Sequence, residues 1–138
     1  MSKILIVDDQ LCVQQLLTAE LTLEGYLVAS SGDAESAKRR LSSFQPDVVI
    51  LDLYLGGPDG FDLFEDIKRK YPDLPVIILT AYDSYREDPR LSQADGYVIK
   101  SVVLDELKGE IADVLGREPA PQGLGVKTPS SQFSGAYG

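Results

Sequence analysis

The sequence predicts an α/β domain, a doubly wound five-stranded parallel sheet of strand order 2-1-3-4-5. Three observations predict it. Five short apolar runs, each too brief for a helix, alternate with amphipathic stretches of helical spacing. Such alternation gives a parallel sheet with helices on both faces, and right-handed crossovers leave few strand orders, of which 2-1-3-4-5 is favoured. The third run, Val48 to Leu53, is almost wholly apolar, as a centre strand covered on both faces must be.

The elements follow in order. Ile4 to Val7 reads as the first strand. Gln10 to Leu23 carries Val13, Leu16, Leu17 and Leu21 at helical spacing, and Gly25 stops that helix. Tyr26 to Ala29 is the second strand. Asp33 caps a helix containing Ala34, Ala37 and Leu41, and Pro46 closes the connection to the third strand. Gly56, Gly57 and Pro58 mark a loop, followed by a helix with Phe61, Leu63, Phe64 and Ile67 that ends near Tyr71. Val76 to Thr80 is the fourth strand and Tyr97 to Ile99 a short fifth. Leu104 to Leu115 is the closing helix, in which Gly109 costs about 1 kcal/mol relative to alanine. Between Tyr82 and Ala94 the pattern is weakest. Pro89 does not suit a helix interior, so the segment reads as a long loop and then a helix begun at Pro89 and capped by Asp88. From 117 to 138 the composition turns to Pro, Gly, Ser and Gln, the signature of a flexible tail or truncated linker after a domain over 1–116.

Composition narrows the function classes. With 138 residues and 43 % apolar side chains, the chain can build one domain with a full core. Its 22 acidic against 13 basic groups give a net charge of −9, which argues against direct nucleic-acid binding and against an anionic membrane surface. No apolar run reaches the roughly 18 residues of a membrane span, and the four apolar residues after Lys3 are no signal peptide. The single Cys12 allows no internal disulfide and suits a reducing, cytoplasmic setting. There is no histidine, so the chain itself contains no phosphohistidine, histidine base or histidine metal ligand.

Ligands of such sheets bind at the carboxyl ends of the strands, where strand order reverses. Strands one and three flank that point. Asp8 and Asp9 end strand one, and Asp52 lies near the end of strand three. Read alone, Asp8 and Asp9 are also turn or cap residues, and Asp52 is a strand-end carboxylate satisfied by backbone donors. Together they form a crowd of carboxylates that needs a cation or a proton between its members. Oxygen-only ligands suit Mg2+. A carboxylate beside that ion can attack phosphorus and form an aspartyl phosphate. Thr80 and Lys100 end strands four and five at the same edge, where a hydroxyl and an ammonium can contact phosphoryl oxygens. The small Ala81 leaves that site open.

These segments resemble the receiver domains of response regulators in two-component signalling, over roughly residues 2–115. The residues that carry the match are Ile4-Leu-Ile-Val-Asp-Asp9, Val48-Val-Ile-Leu-Asp52, Asp59-Gly60, Val76-Ile-Ile-Leu-Thr-Ala81 and Gly96-Tyr-Val-Ile-Lys100. The resemblance implies a flavodoxin-like receiver fold. It implies that Asp52 is the phosphoacceptor and that Asp9, Asp52 and the backbone carbonyl of Tyr54 bind Mg2+ directly, with Asp8 mostly acting through water. Thr80 and Lys100 would read the phosphoryl group, and Tyr97 would be the switch aromatic that follows Thr80. The implied partners are a histidine kinase or His phosphotransfer protein, docking on the first helix around Leu11 and Gln14, and a downstream protein read on the fourth helix, fifth strand and fifth helix. Tyr54 and Tyr82 fall at positions that vary in the family, where two bulky rings would hinder the water that removes the phosphoryl group. The chain would be a switch and not an enzyme in its own right.

Three positions depart from the family pattern. Ser101 follows the lysine where proline with a cis peptide is usual, so this bond is expected to be trans or strained, since cis before serine costs roughly 2.5–4 kcal/mol. Gly56 stands where a proline often stiffens the loop, and Pro89 should make the fourth helix short or irregular. Ser101 keeps open a phosphorylation-independent binding module. A magnesium-dependent aspartyl phosphatase would need its nucleophile and acid two apart on one strand end, a spacing that Asp8-Asp9 lacks. In a flavodoxin-like electron carrier, Asp8-Asp9-Gln10-Leu11 would repel the cofactor phosphate. The tail is too short for a DNA-binding output domain, which suggests a single-domain regulator or a chain cut within a linker.

Overall fold

The computed structural model describes residues 1–57, 59–101 and 104–116. Pro58 of the expected loop and the expected tail over 117–138 lie outside the described residues. The sheet has five parallel strands, β1 (Lys3–Val7), β2 (Leu27–Ser31), β3 (Val48–Leu51), β4 (Val76–Thr80) and β5 (Gly96–Ile99). Their order is β2-β1-β3-β4-β5, as the sequence predicts. Among the described residues, four α-helices accompany them: α1 (Leu11–Leu23), α2 (Ala34–Phe44), α3 (Asp59–Lys70) and α4 (Asp105–Leu115).

Strand alternation divides the core in two. Leu5, Val7, Val49, Leu51 and Ile78 face Ala37 and Leu41 of α2 and Phe61, Phe64 and Ile67 of α3. Ile4, Ile6, Ile50, Ile77 and Val98 face Leu17 and Leu21 of α1 and Leu107, Ile111 and Val114 of α4. Because side chains on a strand alternate, a slip of one residue would exchange these two sets; the register is therefore well determined. The local signals also act as expected. The Asp33 carboxylate accepts from Ser36 N–H at 2.7 Å and caps α2. Gly25, at φ 98°, follows α1 in the left-handed region. Acidic Asp59 and Asp62 open α3 and Lys68, Arg69 and Lys70 close it, complementing the helix dipole.

Three elements depart from expectation by more than one residue. β2 runs on to Ser31 because it pairs with β1 in full register, Lys3 with Leu27 through Val7 with Ser31. β3 stops at Leu51, before Asp52 and Leu53, because Asp52 N–H donates to the Val7 carbonyl and the chain then turns away from the sheet. The helix expected from Pro89 starts there but runs for a single 3-10 turn, and no α-helix follows before β5. Two single-turn 3-10 helices, Asp83–Tyr85 and Pro89–Leu91, replace the fourth helix of the expected pattern. Asp88 does cap the second, accepting from Arg90 N–H at 2.9 Å, but the turn ends at Leu91.

Candidate functional site

The parallel register builds the site. Val7 pairs with Leu51, so the next residues, Asp8 and Asp52, leave adjacent strands side by side. Thr80 pairs with Ile99, and Lys100 N–H donates to the Thr80 carbonyl at 2.7 Å, so Lys100 emerges from β5 at the same edge. Asp8 and Asp52 are buried, while Asp9 is exposed. One carboxylate oxygen from each of the three lies within 4.8 Å of the others.

Lys100 Nζ sits among these groups. It donates to Asp52 Oδ2 at 3.0 Å and to Gln10 Oε1 at 3.1 Å. Asp8 Oδ2 lies 2.9 Å from the same nitrogen, a charge contact that is not aligned as a hydrogen bond. The remaining carboxylate oxygens serve the local turns: Asp8 Oδ1 accepts from Gln10 N–H at 2.9 Å and Asp52 Oδ1 from Tyr54 N–H at 3.2 Å. The turn role of Asp8 and the clustered role therefore coexist, one oxygen each. Lys100 reaches this position although no cis peptide bond occurs among the described residues; the Lys100–Ser101 bond is trans.

Burial raises the Asp52 pKa above the ordinary carboxylate value. The Lys100 hydrogen bond, the Tyr54 N–H and the Lys100 charge oppose that shift only in part, and the Asp8 charge adds to it. Burial works against the Lys100 charge too, but Asp8 and Asp52 outweigh it and hold the ammonium above its usual pKa. The cluster thus has one cation for three carboxylates, and a buried oxygen of Asp8 accepts no hydrogen bond. Hard oxygen donors with unmet charge fit a divalent cation such as Mg2+.

The site opens as a cleft of about 410 Å³ lined by Asp9, Gln10, Asp52, Tyr54, Ala81 and Tyr82 with Gly56, Gly57 and Lys100. Thr80 is fully buried beneath this edge and does not line the cleft; its hydroxyl oxygen accepts from Tyr82 N–H at 3.4 Å. Tyr97, half-buried on β5, donates its hydroxyl to the Tyr82 carbonyl, and the Arg86 guanidinium covers its ring at 4.9 Å. It packs on the segment 82–86. Tyr54 and Tyr82 flank the cleft with ring centroids 5.6 Å apart. Tyr85 completes this group, its hydroxyl 2.5 Å from that of Tyr54.

Two participants escape sequence reasoning. Tyr85 meets Tyr54 across 31 positions of sequence, which no periodicity records. Gln10 had a signal, since glutamine is a poor residue for the position before a helix, where a short polar side chain would cap. Of the residues expected to receive a partner, Leu11 is exposed, but Gln14 is committed to the Asp8 carbonyl, to which its amide donates at 2.6 Å.

Residues 4–112 match the family model of the response regulator receiver domain. The response regulator TrrA of Thermotoga maritima, solved with Mg2+-BeF, is 38 % identical; the match has a TM-score of 0.79 and covers 83 % of this chain and 99 % of that one. TrrA in complex with the histidine kinase ThkA matches at 39 % identity and a TM-score of 0.78, over 84 % of this chain and 100 % of that one. Among curated relatives, the probable transcriptional regulator ycf27 of Guillardia theta is 37 % identical over 119 residues, covering 83 % of this chain and 46 % of that protein. The chain spans about half the length of the curated relatives it matches. On the matched segment and the sheet order together, the chain belongs to the response regulator receiver domain family.

Proposed function

We propose that the chain is a phosphorylation-activated switch of a two-component phosphorelay, in which Asp52 accepts a phosphoryl group from a phosphohistidine. The observation that carries this reading is the pairing of buried Asp52 with the part-buried Lys100 ammonium, beside a buried Asp8 oxygen that accepts no hydrogen bond. In the transfer, an Asp52 oxygen attacks phosphorus, the bond from phosphorus to the donor nitrogen breaks, and the imidazole leaves. Mg2+, when bound, offsets the charge that accumulates on the carboxylates and the phosphoryl oxygens. Asp8, Asp9, Asp52 and the Tyr54 carbonyl are the groups that would hold it. Lys100 is already placed to donate to a phosphoryl oxygen, and Thr80 would reach it by moving from its buried position. Tyr97 would follow, exchanging its present hydrogen bond with Tyr82 for a new position and reshaping the surface formed by residues 82–99 and α4.

The phosphodonor in this reading is a histidine kinase or His phosphotransfer protein. Two features support α1 as its docking face. Leu11 and Leu16 are exposed there, and an apolar groove lined by Val13, Leu16, Leu79 and Leu104 runs up to Lys100. Chemistry is confined to gain and loss of one phosphoryl group, so the chain acts as a switch. A cytoplasmic setting accords with the free, exposed Cys12, and no helix among the described residues is long and apolar enough to cross a membrane. The net charge of −9 gives this domain no role in contacting nucleic acid directly. The domain itself would occupy 1–116, with 117–138 as linker or tail.

The test uses a small acyl-phosphate donor and, separately, beryllofluoride, each with and without Mg2+. The expected outcome is one added phosphoryl mass and a tyrosine fluorescence change, both dependent on Mg2+ and both absent from Asp52→Asn. The reading is falsified if Asp52→Asn responds like the original chain.

A further inference from the structure

Gln10 lies at the junction of β1 and α1, and its backbone is pinned from both sides. Its N–H donates to Asp8 Oδ1, and its carbonyl accepts from Val13 and Gln14 N–H at 3.1 Å each. Its side chain makes no cap hydrogen bond to the helix it precedes. Instead Oε1 accepts from Lys100 Nζ, 90 positions away. The amide orientation is fixed by chemistry: an ammonium only donates, so the oxygen must face it and the NH2 must face elsewhere.

The three oxygens around Lys100 Nζ differ in one respect. Asp8 Oδ2 at 2.9 Å and Asp52 Oδ2 at 3.0 Å are anionic and belong to the cluster suited to a divalent cation. Gln10 Oε1 is neutral. A bound cation would compete with Lys100 for both carboxylates, and two positive charges within one small cluster repel. Among the described residues, Gln10 is the partner at this nitrogen that would remain if Asp8 and Asp52 turned to a metal. This matters because Lys100 is followed by Ser101 on a trans peptide, with no proline to fix the strand end.

Resting on the phosphoacceptor reading above, we propose that Gln10 is a positioning residue of the phosphoryl site, holding the Lys100 ammonium in the cleft while Mg2+ occupies the carboxylates. It ligates neither the metal nor the phosphoryl group in this role; it acts through Lys100.

The experiment is a tyrosine fluorescence titration of four full-length chains, the original, Gln10→Met, Lys100→Ala and the double variant. Each is titrated with Mg2+ alone and then with beryllofluoride at saturating Mg2+. Gln10→Met keeps the side-chain length and removes the acceptor, and Gln10→Ala is run beside it should the thioether disturb folding. The expected result is beryllofluoride affinity about 10-fold weaker in Gln10→Met, with Mg2+ affinity within about 2-fold of the original. In the Lys100→Ala background the Gln10 substitution should have no further effect, the signature of two groups acting as one. Unchanged beryllofluoride affinity in Gln10→Met overturns the proposal. So does an equal 10-fold loss with and without Lys100, which would make Gln10 act on the ligand or the fold instead. If the original chain itself binds no beryllofluoride, the phosphoacceptor reading fails first and this inference falls with it.

Discussion

A Cβ placed on Gly60 would collide with the Asp52 carbonyl oxygen and meet Leu53 Cα and carbonyl oxygen at 2.5 Å each. These are backbone atoms of the loop that carries Asp52, so no flexible side chain can give way. Gly60 has no positive φ, and space alone requires glycine here. Its N–H also donates to the Leu53 carbonyl at 3.1 Å, tying the first turn of α3 to the loop that carries Asp52. Gly60→Ala should therefore destabilise the domain by about 1–3 kcal/mol, the usual scale of overpacking, and weaken Mg2+ binding as Asp52 shifts. Urea unfolding and a metal titration check this together; an unchanged midpoint would show that the loop yields at no cost. The glycine was visible in the sequence as part of Asp59-Gly60, yet its reason was not, because the close approach exists only once β3 and α3 are packed. The cluster of carboxylates around Lys100 was more legible. Asp8, Asp9, Asp52 and Lys100 all follow from strand ends plus sheet order, and the register then fixes their apposition.

At the scale of elements, the segment between β4 and β5 departs furthest from a regular pattern. Pro89 foretold the absence of a long helix, since it removes an amide donor and clashes with the preceding turn. What replaces the helix could not be read along the chain. The segment holds its place by side chains that reach other elements. Tyr85 meets Tyr54 at the hydroxyl and Phe61 edge-on at 5.3 Å, and Arg90 lies over the Phe61 ring at 3.9 Å while paired with Asp88. Such pairings are a property of the folded arrangement and leave no period. They also bridge the loop after Asp52 and the surface around Tyr97, through Tyr82. Tyr85→Phe removes only the hydroxyl. The expected result is amide exchange over residues 83–91 faster by several-fold, at a cost in global stability of about 1 kcal/mol or less. Hydrogen-exchange mass spectrometry would decide; protection equal to that of the original chain would mean the Tyr54–Tyr85 bond does not hold the segment.

For the whole molecule, the same feature that makes a switch also strains the metal-free fold. A protein of net charge −9 gathers three carboxylates at one sheet edge and answers them with one lysine. Burial raises the Asp52 pKa above its ordinary value. For an acid with a raised folded-state pKa, the native chain binds more protons than the unfolded one across the window between the two values. Its contribution to stability is therefore full below the unfolded value and is lost as pH rises through the folded one. At neutral pH the metal-free domain thus bears the cost of an ionised, buried Asp52. Asp52→Asn removes that titration. In the absence of metal it should melt about 2–4 °C above the original chain at neutral pH, with the difference shrinking as pH falls below the carboxylate range. Mg2+ binds the folded cluster and so should raise the melting temperature of the original chain with the logarithm of its concentration, and that of Asp52→Asn much less. Comparing the two chains at each pH cancels the other carboxylates, such as Asp66 and Asp88, whose pKa values are lowered by their arginine partners and whose stabilisation runs the opposite way. Thermal melts across pH 3 to about 8, with and without Mg2+, make the check. If Asp52→Asn melts no higher than the original without metal, or gains as much from Mg2+, the cost does not reside at Asp52.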